Sequence, residues 1–127
     1  MKETALIIVE IPNRCLSPNN SPASKRGHFM KAAAKKKAKK ISRLAAEELC
    51  IETGPWDRAT AQATFYHARR RDRDDDNYIA LLKSTFDGIV EAGLLTDDST
   101  EHLTHAKPLF EVDRGRPRVE ITITRED

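Results

Sequence analysis

Apolar and polar residues alternate or cycle along the chain in a few clear stretches. Ala5-Leu6-Ile7-Ile8-Val9-Glu10-Ile11 is apolar and β-branched, and Pro12 closes it, which predicts a strand buried on at least one face. Residues 13–22 are rich in Asn, Ser and Pro without periodicity and read as a loop. From Phe29 to Glu52 the chain turns to Ala, Lys, Leu and Glu with no Pro or Gly, which predicts a helix. Ile41, Leu44, Ala45 and Leu49 give its second half an apolar stripe. Its first half has little to bury beyond alanines and Met30, and Gly54-Pro55 breaks it. Ala59 to Ala68 then alternates, with Ala61, Ala63, Phe65 and His67 on one side and Thr60, Gln62, Thr64 and Tyr66 on the other. That pattern predicts a second strand, with His67 a partly buried member of it.

A second helix begins near Asp76, runs to Ala92 and stops at Gly93, with Ile79, Leu82, Phe86, Ile89 and Val90 on one face. Leu94-Leu95 anchor a short loop, Thr96-Asp97-Asp98-Ser99. Residues 101–112 and 117–124 read as two strands joined by a turn at Asp113-Arg114-Gly115-Arg116, a terminal hairpin. The predicted fold class is α+β: one small domain over residues 1–127, with a mixed β-sheet of about four strands and two main helices.

Charge changes this picture more than composition does. Charged residues make up 33% of the chain against 39% hydrophobic, and no apolar run approaches the length of a membrane span. Without a signal-peptide pattern, and with Cys15 and Cys50 in no metal spacing, the expectation is a cytosolic protein with reduced thiols. The net charge of +2 hides an asymmetry. Residues 11–45 hold ten Lys or Arg and no acid, while residues 46–127 hold eleven basic residues against eighteen acidic ones. Lys31, Lys35 and Lys39 are four apart, as are Lys36 and Lys40, so like charges repel along the first half of the helix. A phosphate backbone would relieve that repulsion, and a solvated lysine face is the competing reading. Phe29 is expected in the core, with base stacking as its alternative.

The densest chemistry lies in Arg69-Arg70-Arg71-Asp72-Arg73-Asp74-Asp75-Asp76-Asn77, followed by Lys83, Asp87 and the Asp97-Asp98 pair. Asp72, Asp74 and Asp76 match positions one, three and five of a calcium loop. Asn77 stands where that loop needs Gly and Lys83 where it needs Glu, which excludes it. A solvated acidic turn accounts for Asp72 and Asp75. It does not account for a helix that starts inside the cluster, aligns Asp76, Lys83 and Asp87 at intervals of seven and four, and ends near a second Asp pair. Magnesium chemistry on a phosphodiester does: carboxylates hold the ion, and Lys or Arg offsets charge on the phosphate.

Arg73-Asp74-Asp75-Asp76-Asn77, Lys83, Phe86-Asp87-Gly88, Gly93 and Asp97-Asp98 together resemble the signature of the RusA-type Holliday junction resolvases, and within that family are similar to the phage-borne members. The resemblance covers residues 65–103 well and the remainder loosely. It implies that Asp74, Asp76 and Asp98 are magnesium-binding catalytic carboxylates, that Asp97 supports them, and that Lys83 is the catalytic lysine. It also implies that Arg73 contacts phosphate, with Arg71 beside it. In some members the lysine follows the Asn by three residues; here it follows by six, nearly one helical turn further along.

The implied activity is magnesium-dependent resolution of four-way DNA junctions by paired nicks, in a phage-infected or bacterial cytoplasm. Two cuts from a chain with one carboxylate cluster imply a twofold homodimer. Arg14, Lys25, Arg26, Lys31, Lys35, Lys36 and Lys39 would hold the DNA backbone. Two rivals stand: a branched-DNA-binding module without cleavage, and a magnesium nuclease acting on flaps or other branched substrates.

Overall fold

The computed structural model describes residues 2–13, 16, 24–70 and 75–127, with residues 75–77 described by their backbone alone. The elements in order are β1 (Thr4–Val9), α1 (Lys25–Glu48), β2 (Ala59–His67), α2 (Asp75–Leu81), α3 (Lys83–Glu91), β3 (Leu103–His105), β4 (Leu109–Val112) and β5 (Arg118–Arg125). The class is α+β, with five strands in one mixed sheet and three helices among the described residues.

The strand order is β1-β5-β2-β3, with β4 also on β2. β5 runs antiparallel to both of its neighbours, while β3 and β4 run parallel to β2 along its other edge. The predicted terminal hairpin is therefore absent: β4 and β5 lie on opposite sides of β2. Alternation marks a strand but not the edge it joins, and the predicted turn is real while joining unpaired strands. Asp113 Oδ1 accepts from the backbone N–H groups of Gly115 and Arg116, and Arg118 bonds Asp113 at 2.8 Å. The single strand expected over residues 101–112 is two. Ala106 N–H still reaches Ala61 O at 2.8 Å, but Pro108 has no N–H to give, so the ladder lapses before β4 resumes.

The helices differ from expectation at their ends. α1 starts four residues early because Ser24 caps it, its Oγ accepting from Gly27 N–H at 3.0 Å. It stops before Gly54-Pro55, where Cys50 takes a left-handed φ of 52° and its N–H bonds Glu47 O. The single helix expected from Asp76 to Ala92 is broken at Leu82 into α2 and α3. Gly93, with φ of 91°, ends α3 as predicted.

One face of the sheet is the core. Ala5, Ile7 and Val9 of β1, Ala59, Ala61, Ala63 and Phe65 of β2, and Val119, Ile121 and Ile123 of β5 are buried with Ala46 of α1 and Leu82, Phe86 and Ile89 of the second helical segment. The other face keeps Leu6 and Ile8 exposed. α1 and α3 meet closely: a Cβ at Gly88 would run into Ser42 Oγ and the Lys39 carbonyl oxygen. Only glycine lets the two backbones approach this far. No described helix is long and apolar enough to cross a membrane.

Candidate functional site

The described part of the acidic constellation is built around Lys83. It opens α3, and its Nζ donates to Asp98 Oδ2 at 2.6 Å and to Asp87 Oδ1 at 3.0 Å. Asp87 lies one turn on along the same helix, as its spacing requires. Asp98 arrives from the loop after α3, and its side chain is only 14% exposed. These two carboxylates hold the ammonium above its usual pKa, the Asp98 hydrogen bond contributing most.

The Asp98 loop is held by Trp56, a residue that no periodicity in the sequence marks. The indole is fully buried, and its Nε1–H donates to Thr53 Oγ1 at 2.9 Å. Its backbone bridges Leu95: Trp56 N–H reaches Leu94 O at 2.7 Å, and Thr96 N–H reaches Trp56 O at 3.1 Å. Ser99 O then accepts from the N–H groups of His102 and Leu103. The signal available in sequence was a lone Trp just ahead of a strand; burying so large a ring fixes whatever loop packs on it. Asp97 is exposed, and the backbone N–H of Asp98 lowers its pKa. His105 packs edge-on against Phe86, with ring centroids 4.8 Å apart, and burial lowers its pKa while Asp98 acts the other way.

Lys83, Asp87 and Asp98 are thus brought together. The stripe expected through Asp76, Lys83 and Asp87 assumed an unbroken helix. α2 ends at Leu81 and α3 begins at Lys83, and the Lys83–Asp87 half of the stripe holds. Arg71, Arg73 and Asp74 lie outside the described residues, as does the side chain of Asp76. Among the described residues no three His, Cys, Asp or Glu side chains form a metal-binding group. Asp98 and Asp87 are oxygen donors of the kind magnesium takes, but Lys83 stands between them. With one ammonium already set against the two carboxylates, the clamp needs further carboxylates to hold a cation.

On α1 the basic residues divide. Lys39 pairs with Glu91 of α3 at 2.9 Å and Lys37 with Glu10 at 3.1 Å, so acids distant in sequence neutralise part of the run. Lys25, Arg26, Lys31, Lys35, Lys36 and Lys40 have no carboxylate partner among the described residues. Arg14 lies outside them. Phe29 is not in the core: it is 76% exposed, one turn beyond Lys25 on the outer side of α1. Met30 is exposed too, so Ala34 and Ala38 are what the first half of the helix packs. His67 is buried as expected, and its Nε2 lies 3.2 Å from Tyr78 Oη.

A scan against protein-family models finds no match to the chain, and a search of curated proteins finds no significant relative.

Proposed function

We propose that the protein is a magnesium-dependent, structure-selective endodeoxyribonuclease acting on four-way or branched DNA, as a homodimer. The observation that carries this reading is the Lys83–Asp98 contact at 2.6 Å. A largely buried carboxylate from one loop meets a lysine from a helix whose neighbour, α2, begins within the Asp74–Asp76 run. The Asp98 carboxylate is drawn largely out of water and held against an ammonium that stays exposed, which a solvated acidic turn does not require.

In this reading Asp74, Asp76 and Asp98 would hold the ion, with Asp97 in support. When bound, it would acidify a water and polarise the scissile phosphate. Lys83 offsets charge that builds on the phosphate oxygens, and Asp87 and Asp98 keep its ammonium aimed and protonated. Arg73 and Arg71 hold the phosphate. The unpaired lysines of α1 bind the backbone without reading sequence, and the exposed Phe29 ring among them stacks on a base. Two copies related by a twofold axis supply the two nicks that resolution needs.

The test is incubation of labelled four-way junction, flap and linear duplex with magnesium or with chelator. Paired nicks in the junction, dependent on magnesium, are expected. Equal cutting of duplex and junction refutes the structure-selective reading, and junction binding without any nick favours the non-catalytic module.

A further inference from the structure

A cavity of about 420 Å³ opens at the C-terminal end of β2, between that strand, α2 and β4. Its size falls within the range of small-molecule pockets. Its walls are unlike those of the Lys83 clamp. Three are aromatic: His67, Tyr78 and Phe110. The rings of His67 and Phe110 both lie nearly parallel to that of the buried Phe65 between them, at 13° and 16°. Tyr78 stands edge-on to all three, at 61° to 68°. Its hydroxyl and His67 Nε2 put a polar edge within the aromatic wall. Arg69 and Arg70, both exposed, line the same cavity, as does Glu111.

Parallel and edge-on aromatic faces suit a flat heteroaromatic ring. Two guanidiniums beside them suit the phosphate attached to such a ring, because each can fork onto its oxygens. A purely structural aromatic cluster has no use for the paired arginines, and a purely electrostatic phosphate groove has no use for the rings. We infer that this cavity holds one unpaired nucleotide of the DNA strand, its base against Tyr78 and Phe110 and its phosphate on Arg69 and Arg70. The inference rests on the DNA reading for the identity of the strand. Branched DNA supplies unpaired or readily unstacked nucleotides at the branch, while continuous duplex does not. The pocket therefore gives the protein a way to recognise branching by something other than charge.

The test is binding of fluorescent single-stranded hexamers in chelator, where no cleavage occurs: oligo-dA, oligo-dT and an abasic hexamer of equal charge. Stacking on aromatic side chains is worth enough that oligo-dA should bind roughly tenfold more tightly than the abasic strand, with oligo-dT between them. Phe110→Leu, which keeps volume and removes the ring, should erase most of that difference. Arg69→Ala with Arg70→Ala should weaken all three strands alike and lower the salt dependence. Tyr78→Phe, which keeps the ring, should retain the preference over the abasic strand. Equal affinity of the wild type for oligo-dA and the abasic strand overturns the inference, as does a preference that survives Phe110→Leu with the fold intact by circular dichroism. Junction cleavage by a wild type lacking the base preference would leave the nuclease reading standing. The preference without cleavage would do the reverse.

Discussion

Lys36 and Lys83 bring the same side chain to opposite electrostatic settings. On α1, Lys36 and its neighbour Lys40 have no carboxylate partner among the described residues and gain from an anion arriving from outside. On α3, Lys83 is already held by two carboxylates, one of them largely buried. The first arrangement suits attraction at a distance, strong in dilute salt and indifferent to geometry. The second contributes little net charge and fixes one ammonium within a hydrogen bond of its neighbours. A run of lysines and a lone lysine thus do different work, and the difference lies in what surrounds them rather than in how many there are.

The sharpest way to break the comparison is at the clamp. Asp98→Asn should lower junction cleavage by about 10²–10³-fold while binding survives, because the ammonium loses the nearer of its two anionic holders and the site a carboxylate. Normal cutting by this variant in a single-turnover assay would remove Asp98 from the chemistry. Gly88→Ala should come next. It forces α1 away from α3 and should cost about 1–3 kcal/mol in chemical denaturation. It also separates Lys39 from Glu91, so the basic helix should lose its orientation to the clamp. An unchanged midpoint would mean that the two helices adjust freely.

A third variant pair sharpens the contrast within α1 itself. Lys36→Ala with Lys40→Ala should reduce the slope of log affinity against log salt by about two, since each lost phosphate contact removes nearly one. Lys37→Ala with Lys39→Ala should reduce it less, because Glu10 and Glu91 already neutralise those lysines. Equal effects would show that the ion pairs open on binding. The smallest effect concerns His102. Its Nδ1–H donates to the Asp57 carbonyl at 2.9 Å, and that bond, with the charges of Asp57, Asp97 and Glu101, raises its pKa. The protonated ring therefore stabilises the fold below the ordinary histidine value near 6.5, and this contribution is lost as pH rises through the higher folded value. His102→Gln should flatten the fall in thermal midpoint between about pH 6 and pH 8. A fall as steep as the wild type's would assign it to another group.

The sequence carried local structure well and neighbour relations poorly. β2, β5 and Gly93 follow from alternation and from one residue free to take positive φ. That Lys83 can reach Asp87 follows from helical spacing. That it also reaches Asp98 depends on where the loop after α3 is pinned, and Trp56 does the pinning through tertiary burial that periodicity cannot report. Phe29 misled because hydrophobicity predicts the core only when the element around it has a core to face. The first turns of α1 have none. The ion pairs of Lys37 and Lys39 were illegible for a similar reason: their acids lie on β1's trailing end and on α3.

The position of β5 has a consequence for how the chain reaches this fold. It is the last of the five strands in sequence, yet it lies between β1 and β2, and β1 joins the sheet only through it. During synthesis every helix and the other four strands emerge before the strand that joins them. β1 must wait for a partner that lies more than a hundred residues ahead, as the Thr4–Thr124 register shows. Such distant pairing is slow to find. Until it forms, the apolar side of β1 stands open beside a strongly basic helix. A nascent chain in this state would be prone to engage a chaperone before it engages itself.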